Sequence, residues 1–150
     1  MPKARSYIQF HSAHIAVPLK ERRKVKLFIK TQFSKYSVPL ERLDYIFCSD
    51  AYLLGMNIRF LQHDTLTDII TFPLHEPGGP ISGEIYISVD RVRENASLFG
   101  LPFQEELLRV VFHGALHLLG FKDKSKADQL KMREQEDQWL KAFKLFHVEP

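Results

Sequence analysis

Apolar positions along this chain recur with two different periods, which predicts strands and helices interleaved in one unit. Residues 7–10 alternate around Gln9 with aromatic and β-branched character, the pattern of a strand. Val17-Pro18 opens a predicted helix, since proline suits a first turn and Val25, Phe28, Ile29 and Phe33 then recur at helical spacing. Its other face carries the basic cluster from Arg22 to Lys26, and Pro39 closes the region. Residues 43–48 read as a second strand. Ser49 or Asp50 then caps a helix that runs to about Leu61, with Leu53, Met56 and Phe60 as its core positions. Residues 67–72 are β-branched and short, a third strand. Residues 73–83 hold three prolines and three glycines and read as a loop, followed by a fourth strand over 84–88. Strands three and four are expected to pair as an antiparallel hairpin. A short helix over 90–99 follows. Pro102, Glu105 and Glu106 then open another, with proline in the first turn and acids at the positive end of the dipole.

That helix is apolar nearly all round, which places it inside the domain. Its polar residues Glu106, Arg109, His113 and His117 fall near i, i+3, i+7 and i+11, and so share one stripe. Histidines four apart face the same side, with about 6 Å between Cβ atoms, and two neutral imidazoles there can grip one divalent ion. Gly120 sits where a helix end favours a left-handed residue, so the chain can turn and bring Asp123 back over the pair. Three protein ligands with one open position describe a catalytic metal site; the bland alternative is a pair of satisfied core histidines. Ser125 with Asp128 resembles a capping box for a last helix, whose packed side is marked by Trp139, Phe143 and Phe146. Strands and helices mixed in this way give an α+β class: a single domain over residues 1–150, with a small mixed sheet of about four strands, about five helices and the metal site on a buried helix.

Composition adds limits. Hydrophobic residues make up 45% and charged residues 26% of the 150, an ordinary balance for a soluble globular chain. No apolar run approaches the ~20 residues of a membrane span, and the first ten residues lack the apolar core of a signal peptide, so a cytoplasmic, non-membrane protein is expected. Cys48 is the only cysteine, which excludes an intrachain disulfide and a cysteine-based zinc site. Its apolar neighbours make it a small core residue rather than a nucleophile. The net charge of +3 is uneven, because residues 1–30 hold eight Lys/Arg against Glu21 alone. A basic end suggests phosphate-bearing partners, against the alternative of a solvated helix face.

The segment over residues 49–123 resembles the YbeY family of metal-dependent single-strand endoribonucleases. The family signature His-Gly-x-Leu-His-Leu-x-Gly-Tyr-Asp-His is matched by His113, Gly114, Leu116, His117, Leu118 and Gly120, with Phe121 for tyrosine. The run Asn57…Asp64-Thr65-Leu66-Thr67-Asp68-Ile69-Ile70-Thr71-Phe72-Pro73 is similar to the family's Asn…Asp-x-Pro-Thr-Asp-Val-Leu-Ser-Phe-Pro, and Gly83-Glu84-Ile85 to its Gly-Asp-Ile strand. The resemblance implies one Zn2+ ion (other divalent metals fit the same donors) and hydrolysis of RNA by water that the ion activates. The implied partners are single-stranded ribosomal RNA and the ribosome or its small-subunit proteins, in rRNA maturation and quality control. It implies His113 and His117 as catalytic metal ligands. Two positions depart from the pattern. The family's third histidine falls on Asp123, which keeps a ligand and adds negative charge. A family arginine falls on Leu61, which leaves nearby Arg59 as the candidate phosphate-binding catalytic residue.

Three other chemistries compete. A metallopeptidase of the metzincin type needs glutamate directly after the first histidine, where Gly114 stands with no side chain to take a proton. A non-catalytic protein with a closed structural zinc needs a fourth ligand, for which His11, His14, His63 and His75 are available. Two histidines and a carboxylate also match the non-haem iron triad. Within RNA cleavage itself, water and the ribose 2′-hydroxyl both remain open as nucleophile.

Overall fold

Buried and partly exposed side chains alternate along residues 43–47 because this segment lies in the second strand of a four-stranded sheet. The computed structural model describes residues 6–61 and 67–149. In it β1 (Tyr7–Ser12), β2 (Leu40–Cys48), β3 (Ile69–Pro73) and β4 (Ile81–Ser88) lie in the order β1-β2-β4-β3. β1, β2 and β4 are mutually parallel, and β3 runs antiparallel to β4 with Ile69 opposite Ile87. The expected hairpin therefore forms across the proline- and glycine-rich loop, with β4 starting three residues earlier than its β-branched run suggests.

Parallel neighbours need crossover connections, and helices supply them. α1 (Arg22–Lys35) joins β1 to β2. α2 (Asp50–Met56) is capped by Ser49, whose side chain accepts from the Tyr52 N–H, and it passes directly into a π-helical turn, Asn57–Leu61. α3 (Val89–Phe99) ends at Gly100 in the left-handed conformation. α4 (Phe103–Leu118) and α5 (Lys126–Leu145) complete an α+β domain with five α-helices among the described residues. None of these helices is long and apolar enough to cross a membrane.

α4 lies on the sheet. Leu107, Val111, Phe112, Ala115 and Leu116 are fully buried, as are Leu43, Tyr45 and Phe47 of β2 and Ile85 and Ile87 of β4. The Tyr45 hydroxyl, deep in this layer, donates to the Val111 carbonyl at 2.8 Å. On the far side of α4, α5 seals the core through an aromatic cluster. The Phe28 ring lies 5.2 Å from Phe112, 5.9 Å from Trp139 and 5.5 Å from Phe143. Such pairs contribute about 0.5–1.5 kcal/mol each beyond the area they bury.

The structure departs from the expected elements at two places. Val17-Pro18 does not open α1. Glu21 adopts a left-handed φ of 54°, and the helix starts only at Arg22. The segment before it is clipped to the start of α4: Gln104 donates to the Pro18 carbonyl and accepts from the Lys20 N–H. Phe60 is not a core residue but 57% exposed, since the π-helical turn breaks the 3.6-residue period that placed it inward. Asp64, Thr65 and Leu66 of the expected motif, together with His63, lie outside the described residues. So do Lys3 and Arg5 of the basic end.

Candidate metal centre

The site begins with the polar stripe of α4, where Glu106, Arg109, His113 and His117 all face one cleft. The helix stops in the way the glycine predicted. Gly120 has φ 107°, its N–H bonds the His117 carbonyl, and the Phe121 N–H reaches back to the Leu116 carbonyl. This six-to-one closure reverses the chain and satisfies the last carbonyls. Asp123 thereby returns over the pair. Its Oδ2 stands 3.3 Å from His113 Nε2 and 3.1 Å from His117 Nε2. The two imidazoles are nearly perpendicular, at 81°, with centroids 4.7 Å apart. One donor atom from each of the three residues falls within 4.8 Å of the others.

Behind the histidines lies a buried charged network. Glu136 of α5, 5% exposed, places Oε2 2.7 Å from His113 Nδ1 and Oε1 3.1 Å from Arg109 Nη1. Arg109 Nη1 also lies 2.9 Å from Asp137 Oδ1. Glu106 Oε2 and Arg109 Nε are buried without hydrogen-bond partners. Burial lowers the His113 pKa, but the Glu136 carboxylate, with Asp123 and Asp68 beyond it, reverses this and leaves it raised. Burial also pushes the Asp68 carboxyl up, against the opposing pull of His113. The Glu106 carboxyl is raised for the same reason, with Arg109 and Arg133 opposing.

These groups surround a cleft of about 990 Å³. Its wall includes Leu61 of the π-helical turn and Asp68 and Thr71 at β3, and its cations are Arg109, Lys124 and Arg133. The donor set fits a divalent ion. His113 Nδ1 is taken up by a carboxylate, and its Nε2, His117 Nε2 and an Asp123 oxygen converge on the same point. Two imidazoles and one carboxylate with a fourth side open to the cleft match the ligand type and number of a catalytic centre.

His113, His117 and Asp123, chosen from spacing, are thus brought together. Arg59 is not brought to them: it is exposed, its guanidinium 5.9 Å from the Phe60 ring, and it does not line the cleft. Nor do His11, which bonds Asp44, His14, or His75, which bonds Ser82. Cys48 is fully buried, its thiol pushed up to about 12 chiefly by burial, as suits a core residue. Sequence reasoning missed Glu136. Its signal was available, since Met132, Trp139 and Leu140 sit at i−4, i+3 and i+4 from it, which puts a carboxylate on the apolar stripe of α5.

Known proteins resemble this chain along most of its length. A family model described as Endoribonuclease YbeY matches residues 7–144. A protein named Endoribonuclease YbeY from Flavobacterium psychrophilum is 58% identical over 106 residues, covering 71% of this chain and 73% of its own. Another of that name, from Amoebophilus asiaticus, is 38% identical over 148 residues, 99% of each chain. The solution structure of a Thermotoga maritima protein matches with a TM-score of 0.61 and 27% identity over 91% of this chain and 88% of that one. A family match running from β1 to the end of α5, over a fold that delivers the signature histidines to one cleft, makes this chain a member of the YbeY endoribonuclease family.

Proposed function

We propose that this protein is an endoribonuclease whose cleft cuts unpaired ribosomal RNA during maturation and quality control of the ribosome in the cytoplasm, and that it requires one Zn2+ ion held by His113, His117 and Asp123. Membership of a family named for endoribonuclease activity supports RNA cleavage. The observation that carries the site assignment is the convergence of two Nε2 atoms and one carboxylate oxygen within 4.8 Å at the cleft. An ion bound there supplies Lewis acidity, polarising a phosphoryl oxygen and making water more acidic.

The rest of the chemistry belongs to the chain. Arg109, Lys124 and Arg133 are the cations inside the cleft, and in this reading they hold the RNA backbone and offset charge on the phosphoryl oxygens. Arg59 stands outside that lining and is not needed for it. In this reading Asp68, which lines the cleft and whose carboxyl is pushed up by burial, exchanges a proton with the attacking or leaving oxygen. The apolar wall of Leu61, Ile69 and Ile70 favours unstacked bases over a duplex surface.

Peptidase chemistry has no support in the packing. A side chain at position 114 would meet Ile85 and Ile69 in the sheet layer, so a glutamate there would run into the core. The test is cleavage of labelled single-stranded RNA, the matched duplex and casein, with and without chelator, by wild type and His113→Ala. Cleavage of the single strand alone, lost on chelation and in the variant, is expected. Cleavage that survives both would overturn the assignment, and casein digestion abolished by both would transfer it to a peptidase.

A further inference from the structure

We infer that Glu136 is a positioning residue: its buried carboxylate fixes His113 in the Nδ1–H tautomer and holds Nε2 toward His117 and Asp123. An ionised carboxylate only accepts hydrogen bonds, so the 2.7 Å contact with Nδ1 requires the ring to carry its proton there. In a neutral imidazole the lone pair is then on Nε2, the atom nearest Asp123 Oδ2. The carboxylate is itself held: Arg109 Nη1 lies 3.1 Å from its other oxygen, and α5 buries Met132, Trp139 and Leu140 on the same face. Rotation of Glu136 away from His113 would break the Arg109 bond, so the ring is held in orientation as well as in tautomer. Among the described residues, only His113 of the pair has its second ring nitrogen bonded to a buried carboxylate.

The two histidines therefore differ in role. His113 is prearranged by a carboxylate from a helix remote in sequence. His117 is set by its place on α4, by the His113 ring and by Asp123. Outer partners of this kind typically change metal affinity 10–100-fold when removed. Glu136→Gln keeps the shape but replaces a pure acceptor with a group that can also donate, which permits the opposite tautomer and a proton on Nε2.

This inference rests on the metal reading above for its effect on affinity, but not for the tautomer. The experiment has two parts. Long-range ¹H–¹⁵N spectra of metal-free protein, followed upward in pH until the ring shifts are those of neutral imidazole, report which nitrogen of His113 is protonated. Competition with a chromophoric chelator measures Zn2+ affinity. Wild type should show Nδ1–H, and Glu136→Gln should shift toward Nε2–H with affinity lower by 10–100-fold. Asp137→Asn, which removes only the exposed partner of Arg109, should match wild type in both. An Nε2–H His113 in wild type overturns the inference without any variant. So does a Glu136→Gln protein with the wild-type tautomer and affinity. Failure of wild type to bind Zn2+ would count against the metal reading, and the metal-free spectra would still decide the tautomer.

Discussion

Gly114 stands so close to Ile85 that a Cβ at position 114 would lie 2.9 Å from both Cδ1 and Cγ2 of that side chain. Real Cβ atoms do not approach so near, and Ile69 closes the other side at 3.2 Å. The glycine between the histidines is therefore what lets α4 lie against β4. Gly114→Ala should cost about 1–3 kcal/mol through overpacking. Gly55→Ala is the contrast, because Gly55 lies in α2 with nothing within 4 Å of an added Cβ. It should gain about 0.4–1 kcal/mol by restricting the unfolded chain. Urea midpoints of the two variants check both signs.

The three proposed ligands should not be equivalent to lose. His113→Ala and His117→Ala should each abolish tight Zn2+ binding and nearly all RNA cleavage. Asp123→Ala should weaken binding but retain some metal on the histidine pair. Asp123→His should keep activity with a lower pH optimum, because removing a negative charge from the site makes bound water more acidic. Metal content by mass spectrometry after dialysis, alongside rates, decides this. Equal metal in wild type and His117→Ala would refute the ligand set.

Salt dependence should locate the phosphate contacts. The basic cluster at the start of α1 looks like an RNA-binding patch by charge, yet its side chains have structural partners. Arg22 bonds the Val17 and Leu19 carbonyls, Lys24 sits 4.3 Å from the Phe143 ring centroid, and Lys26 lies 5.5 Å from that of Phe10. None of them lines the cleft, whereas Lys124 and Arg133 do. Replacing Lys124 and Arg133 with Gln should reduce the log–log salt slope of single-strand binding by about 0.7 per lost phosphate contact. The variant with Arg22, Arg23, Lys24 and Lys26 all changed to Gln should alter it less. The reverse ranking in fluorescence titrations would move the RNA path onto α1.

A pH effect on stability is expected where β2 pairs with β1. Burial pushes the Asp44 carboxyl up, but hydrogen bonds from Arg42 at 2.7 Å and His11 at 2.8 Å outweigh it and hold it below the usual carboxylate value. A carboxyl lowered in the folded state stabilises fully above its unfolded value, near 3.9, and loses that contribution as pH falls through the folded value. The difference in urea midpoint between wild type and Asp44→Asn should therefore be larger at pH 7 than at pH 2. A difference that is constant with pH would mean the bonds do not favour the ionised form.

Local signals made most of the architecture legible. The period of α4, the β-branched run of β3 and the glycine that ends α4 each act within a few residues, and each placed its element. The convergence of His113, His117 and Asp123 was readable for the same reason, since they lie within eleven residues and one chain reversal joins them. Failures came where distant groups or a change of helical period decided the outcome. Gln104, more than eighty residues away, holds residues 18 and 20 out of α1. The π-helical turn swings Phe60 and Arg59 to solvent and leaves Leu61 at the cleft. Glu136 is separated from His113 by 23 positions, and its meaning depends on α5 docking against α4.

The docking of α5 also bears on when the site comes into being. Synthesis delivers the chain from its N-terminus, so His113, His117 and Asp123 all leave the ribosome before Glu136. Trp139, Leu140 and Phe143, which close the core over Phe112 and Phe28, leave later still. A nascent chain that has made His113, His117 and Asp123 thus still lacks the Glu136 carboxylate against His113 and the aromatic wall behind α4. For a member of an endoribonuclease family, that order leaves the finished cleft until α5 has been made.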